Sequence, residues 1–292
     1  MQALNSLFEY EFARNAMIAG VAVGTVCSIL SVFVVLKRMA FIGEGVSHAG
    51  FGGVGTALLL GIGGLGQDAA VMIFCIVTGV GIGLLSRKRH IEPDSAIGIL
   101  LVGAMAWGVL MTDLWRTFRN SPGYIQYFGT ATSPPSFEEL LFGSLLTISP
   151  FNMWLAVILS AAIVLTVLLF FKEILFFTFD EPVSEVFGVP TTFIYYLLLT
   201  LLCITIVLSM RLAGFLLVTA LLVIPGATAL MLSRRLKIVL LWSWVVGVTG
   251  ILGGLFISLE LGDLSTGPCI VAVLCAWFFA AMGLRTFTGK LT

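Results

Sequence analysis

TTFIYYLLLTLLCITIVLSMRLAGFLLVTALLVIPGATALML, residues 191–232, carries a single charged side chain, Arg211. One crossing of a bilayer core needs roughly 20 consecutive apolar residues, so this run holds two, 191–210 and 213–232, separated only by Met210, Arg211 and Leu212. The apolar positions are continuous and do not alternate every second residue, which excludes a strand barrel and predicts helices.

The same pattern recurs along the chain. Of its 292 residues 59% are hydrophobic and 10% charged, with a mean hydropathy of +1.12, values that exclude a water-soluble core wrapped in polar surface. Candidate spans cover 14–36, 41–65, 68–86, 95–114, 154–171, 191–210, 213–232, 238–259 and 268–284. The fold class is therefore all-α: a polytopic transmembrane helical bundle of about eight or nine spans. The count depends on whether the first run and the Arg211 turn cross fully or are re-entrant. Residues 1–292 read as a single transmembrane domain, and the start of the chain lacks the basic residues of a secretory signal, so no processing is expected.

Charge orients the bundle. If successive loops alternate sides, Lys37, Arg38, Arg87, Lys88, Arg89, Lys172, Arg234, Arg235, Lys237, Arg285 and Lys290 fall on one side, eleven of the 15 cations. The positive-inside rule makes that side cytoplasmic. The opposite face carries Glu9, Glu11, Asp68, Asp113, Glu138, Glu139, Glu260 and Asp263, an acidic excess that enriches cations modestly, although insertion bias alone explains most of the asymmetry. Cys27, Cys75, Cys203, Cys269 and Cys275 lie within or at the edges of apolar runs without a CxxC pair, and read as small packing residues.

Against this background GEGVSHAGFGGVG, residues 43–55, stands out. Glu44 and His48 are four apart, so on a helix they stack on one face, and one metal ion can be held by both. Ionisable groups inside a span cost about 2.5–3.5 kcal/mol on insertion scales and normally face a cavity, a partner or a pathway. An ionised carboxylate with a neutral imidazole suits borderline divalent ions such as manganese, iron or zinc. The structural alternative pairs Glu44 with Lys37 or Arg38 and gives His48 a carbonyl partner. Two ligands make half a site. The rest would come from carbonyls, hydroxyls, water, Asp113, a sulfur side chain or a second subunit, since His90 lies in the basic RKRH loop. No HExxH is present, and transport fits better than hydrolysis. Glycine is dense from 43 to 66 and recurs at 79, 81 and 83, so spans 2 and 3 are expected to be buried in the bundle.

Two polar interruptions complete the pattern. The outer one, 115–153, offers a short helix from about Phe137, with Ser136 as N-cap and Glu139 three residues on. It lies over a pore mouth or anchors at the interface through Trp115, Tyr124 and Tyr127. In the inner one, 172–190, Asp180 can cap a short helix, Glu181 and Pro182 suit its first turn, and Gly188 with Pro190 stops it. Within span 7, Pro225 is expected to interrupt the helix and free carbonyls, as a hinge, as part of a pathway, or as a plain kink.

KRMAFIGEGVSHAGFGG resembles the second-helix entry of the metal-ion (manganese, zinc, iron) permease subunits of ABC transporters. Further matches follow in order: DSAIGIL after the basic loop, LLFGSLL at 140–146, FDEPVSEVFGVP at 179–190, RLAGFLLVTALLVIPGATA at 211–229 and STGPCIV at 265–271. The chain departs from that family in having Glu44 where Asp is usual, Ser184 where Ala is common, and a longer outer loop near 115–135.

The resemblance implies an ABC importer permease in the bacterial cytoplasmic (inner) membrane, not itself an enzyme, moving a divalent Mn, Zn or Fe ion inward. No cofactor is permanently bound; Glu44 and His48 hold the cargo. The implied partners are a separate ATP-binding subunit, an extracytoplasmic metal-binding protein, a second permease subunit (identical or not) and lipid, with no nucleic acid. The 172–190 segment, with Asp180, Glu181, Pro182, Glu185 and Gly188, would dock the ATPase, and Pro225 would line or hinge the pathway. The sequence agrees on one point: it has no GxxxxGK[ST] phosphate loop. The rivals are a permease for a metal chelate or organic cofactor, and a membrane-embedded metalloenzyme.

Overall fold

The computed structural model describes residues 11–88, 91–119, 121, 148–261 and 264–288. All regular structure among them is helical: α1 (Glu11–Leu36), α2 (Ala40–Leu59), α3 (Leu65–Lys88), α4 (Pro93–Phe118), α5 (Pro150–Leu169), α6 (Phe171–Phe179), α7 (Glu181–Val186), α8 (Thr191–Leu232), α9 (Leu236–Leu261) and α10 (Thr266–Thr288). Seven helical segments are long and apolar enough to cross a membrane, with Leu217–Leu232 a shorter apolar one. The remaining long helix, α2, has 20 residues, but its glycines, Glu44 and His48 lower its apolarity. Among the described residues the count of seven, with one shorter apolar helix, is thus roughly consistent with the expected eight or nine. The first run, 26 residues of α1, extends about 39 Å and is long enough to cross.

Hydrogen bonds to α1 show how α8 is folded. The Cys27 sulfur and Ser209 hydroxyl are 3.3 Å apart, and Gly226 donates its N–H to Ser31 Oγ at 2.8 Å. Positions 27 and 31 are one helical turn apart, whereas 209 and 226 would be separated by about 25 Å in a straight helix. The chain must therefore turn back between them. It does so at Gly214, whose φ of 75° and ψ of 169° are open only to glycine. The reversal lies just beyond the Met210–Leu212 turn expected from the sequence. The interruption expected at Pro225 is not a break, since Gly214 is the one residue of α8 with non-helical dihedrals.

The described residues form two compact units. The first comprises 1–40, 137–194 and 208–292, and the second 41–136 and 195–207. In the first unit α1 packs against α5 and α9, and α9 against α10. Its helices are stitched by Ser243 Oγ donating to the Ser28 carbonyl at 2.6 Å and by the Trp244 indole N–H donating to Thr25 Oγ1 at 3.1 Å. Such bonds are worth about 0.6 kcal/mol on average between membrane helices.

In the second unit α2 is the buried helix. A side chain at Gly53 would strike the Val71 backbone of α3, and one at Gly108 of α4 would strike the carbonyl of Phe51. Bare backbones are what allow α2 to be gripped from both sides. The parallel expectation for α3 is corrected: only 33% of its apolar window is buried, with Ile73 and Val77 exposed. Gly79 and Gly83 abut residues 195–203 of α8, Gly81 abuts Leu100 of α4 and Val71 meets Gly53 of α2, while the face carrying Ile73 and Val77 is uncovered. Trp115, expected at headgroup level, is 2% exposed, and the Arg119 guanidinium lies 5.1 Å from its ring centre. The five cysteines are unpaired and four of them are buried, as packing residues should be. The expected helix at Phe137 with Ser136 and Glu139, the LLFGSLL stretch and His90 lie outside the described residues.

Candidate metal-binding site

The α2 helix begins at Ala40 and runs without interruption through Leu59, so Glu44 and His48 stand one turn apart on one face. At 1.5 Å per residue His48 lies about 12 Å along the helix from its start. Between them Gly45, Val46 and Ser47 are buried, the Glu44 carboxylate is exposed and His48 is half-buried. Ser47 is turned into its own helix, its hydroxyl donating to the Gly43 carbonyl at 2.7 Å, and so supports the backbone. Cys75 of α3 donates its thiol hydrogen to the Val46 carbonyl at 3.4 Å, fixing α2 at the midpoint of the pair.

An open cavity of about 300 Å³ lies beside Glu44, lined by Phe41, Ile97, Gly98 and Leu101 and by a second carboxylate, Asp94. Asp94 stands in the first turn of α4, where negative charge is favoured by the helix dipole. Its position follows from register. Gly45 faces Ile97 and Gly52 faces the Ala104 carbonyl, so α2 and α4 ascend together, and Asp94 falls at the level of Glu44. By the same register Asp113 is excluded as a co-ligand, because it lies beyond Gly108, itself packed on Phe51 and Gly52. The Asp113 carboxylate pairs instead with Arg116 at 3.3 Å. Asp94, which opens the DSAIGIL stretch, lines this cavity with Glu44, a placement that the sequence alone does not indicate.

Among the described residues no three His, Cys, Asp or Glu side chains converge as a complete metal cage. No ion pair among them engages Glu44, and Lys37, one of its proposed structural partners, is occupied by Glu181. If Glu44 and His48 both ligate, two ligands beside an open cavity would suit transient holding, since conduction requires a site weak enough to release.

The inner segment forms the expected short helix. Asp180 Oδ1 accepts the Val183 N–H at 3.0 Å as N-cap of α7, and Pro182 sits in the first turn. At its other end Gly188, with φ of 79°, closes the helix while its N–H reaches the Glu185 carbonyl at 3.0 Å. Ser184 is buried, but its hydroxyl donates to the Glu181 carbonyl at 2.8 Å, so its departure from Ala leaves no polar atom stranded. Glu185 is exposed, and Val186 and Phe187 are 86% and 73% exposed. The preceding helix, α6, was not anticipated. Pro225 is buried in α8, and its neighbour Gly226 is the donor to Ser31.

The chain is 31% identical over 292 residues to the manganese transport system membrane protein MntC of Halalkalibacterium halodurans, covering 99% of this chain and 92% of that protein. It is 32% identical over 275 residues to the chelated iron transport system membrane protein YfeD of Yersinia pestis, covering 94% and 86% respectively. In three dimensions it superposes on PsaBC from Streptococcus pneumoniae, solved in complex with a Fab, with a TM-score of 0.78 at 27% identity, over 96% of this chain and 94% of that one. The model of the ABC 3 transport family matches residues 9–285, and this multi-pass membrane chain belongs to that family.

Proposed function

We propose that this chain is the membrane-spanning permease subunit of an ATP-driven importer that carries a divalent transition-metal ion, manganese or ferrous iron, into the cytoplasm. The observation that carries the reading is the pairing of Glu44 and His48 one turn apart on a helix buried by glycine contacts. A hard carboxylate with an imidazole accepts both ions. Relatives named for manganese and for iron transport support the cargo class.

The ion enters from an extracytoplasmic binding protein, is held by Glu44 and His48, and leaves past the Asp94 carboxylate on the cytoplasmic side. A separate ATP-hydrolysing subunit docks on α7, where Asp180, Glu181 and Pro182 build the helix start, Gly188 ends it, and Glu185, Val186 and Phe187 face outward. Two permease subunits form the pathway. Pro225 lies in the helical half of α8 that descends from the Gly214 reversal, and flexing there would be centred on Gly214.

The test is uptake of radiolabelled manganese and iron into cells expressing the complete transporter with wild type, Glu44→Ala or His48→Ala permease at matched levels. Loss of uptake in both variants supports the site, and unchanged uptake in both refutes it. A second reading, passage of a metal chelate, is favoured by the name of the Yersinia relative. On that reading His48→Ala leaves uptake of the chelate nearly intact, because a wide passage replaces direct ligation.

A further inference from the structure

The Lys37 ammonium lies 3.2 Å from Glu181 Oε2 and 3.6 Å from the centre of the Phe177 ring. These three residues come from three elements. Lys37 follows the last residue of α1, Phe177 is a fully buried residue of α6, and Glu181 is the first residue of α7. The lysine side chain is 17% exposed and the glutamate 33%, so water screens the pair far less than it screens a surface ion pair. A cation held at once by a carboxylate and a ring face is fixed in direction as well as distance.

What Lys37 belongs to gives the contact its meaning. Residues 37–39 form a tight reversal, with Lys37 N–H bonded to the Phe33 carbonyl at 2.9 Å, Arg38 N–H to Val35 at 3.2 Å and Met39 N–H to Val34 at 2.8 Å. Arg38 closes it in the left-handed region, φ 57°, the only non-glycine residue with positive φ among the described residues. A turn so completely bonded moves as one piece with the end of α1. The next residue, Ala40, opens α2, and Glu44 follows within its first turn or so. The start of α7 is thus tied, 144 residues away in sequence, to the turn from which the Glu44 helix emerges.

We propose that Lys37 and Glu181 are positioning residues that transmit displacement of α7 to the α1–α2 turn, and through it to Glu44 and His48. The inference rests on the reading of α7 as the ATPase-docking helix. With the tie cut, the ATPase still docks and turns over, but its stroke no longer reorients the ion-holding helix.

The experiment uses the full transporter reconstituted in proteoliposomes with its ATPase and binding protein, with Mn²⁺ as the probe ion, measuring ion uptake and ATP hydrolysis in the same preparation. Lys37→Met, outside the docking segment, is expected to lower Mn²⁺ carried per ATP hydrolysed by about tenfold, with hydrolysis changed by less than about twofold, and Glu181→Gln is expected to lower the same ratio. The charge exchange K37E/E181K is expected to restore most of the ratio. A merely structural contact lowers uptake and hydrolysis together, leaves their ratio unchanged, and overturns the proposal, as does a charge exchange no better than the single changes. Val186→Asp on the exposed end of α7 separates the two readings. If the ATPase no longer co-purifies with that variant, docking on α7 stands; if it co-purifies normally, the docking reading falls and the transmission proposal falls with it.

Discussion

Ser31 Oγ accepts the N–H of Gly226 at 2.8 Å, one residue beyond Pro225. Proline removes its own N–H from the helical ladder and crowds the carbonyl four residues back. Here the neighbouring N–H is taken up by a side chain from α1, and both Ser31 and Gly226 are buried. The proline is thereby built into a fixed joint between α1 and α8. Replacing Ser31 by Ala removes this acceptor, at a cost of about 0.5–1.5 kcal/mol. The expected outcome is a lower melting temperature of the detergent-solubilised protein. Ser31→Thr, which keeps the hydroxyl, is expected to lose less unless its added methyl is refused at this closely packed position.

The reversal of α8 depends on one residue. Gly214 occupies dihedrals that a side chain strains by about 1–3 kcal/mol. Gly214→Ala is expected to destabilise the protein measurably in a thermal melt, whereas Pro225→Ala, at a position already helical, is expected to be tolerated better. Equal melting temperatures for Gly214→Ala and wild type would place the bend elsewhere.

The helices were legible in the sequence because bilayer thickness fixes the length of an apolar run, and the cap at Asp180 because an N-cap side chain bonds a donor within its own first turn. Both are local constraints. Three features were not local and were not legible. The break at Gly214 lies inside an apolar run, and RLAG offered several places for it. Trp115 has the composition of an interfacial anchor, and only the packing of α4 shows that it is buried. Asp94 opens a familiar-looking stretch, but which carboxylate meets Glu44 depends on the register of α4 against α2, set by glycine contacts that no periodicity reveals. Asp113, the carboxylate that the sequence offered instead, lies at the far end of the same helix.

That register makes Asp94 testable. If it receives the ion released by Glu44, Asp94→Asn removes a charge without changing shape and is expected to slow uptake by about tenfold while lowering the melting temperature only slightly, by loss of the favourable helix-dipole contact. Asp113→Asn, which breaks only an exposed pair with Arg116, is expected to change uptake by less than about twofold. Measured side by side in cells with matched expression, a larger loss from Asp113→Asn than from Asp94→Asn would reverse the assignment.

Glu44 offers a finer test, because length and charge can be varied separately. Glu44→Gln keeps the length of the arm and removes the charge, so a direct ligand to a dication is expected to fail, with uptake down by at least about a hundredfold. Glu44→Asp keeps the charge and withdraws it by one methylene. If the arm reaches the ion alone with His48, the shortened variant retains partial transport and changes its preference between manganese and iron, since the bond must lengthen or the helix shift. If Glu44 acts only by attracting cations into the cavity, Asp performs as well as Glu with the same preference, and raising the ionic strength weakens both alike. Competition of manganese against iron in uptake by the two carboxylate forms separates ligation from attraction, since only a coordinating group senses which ion is bound.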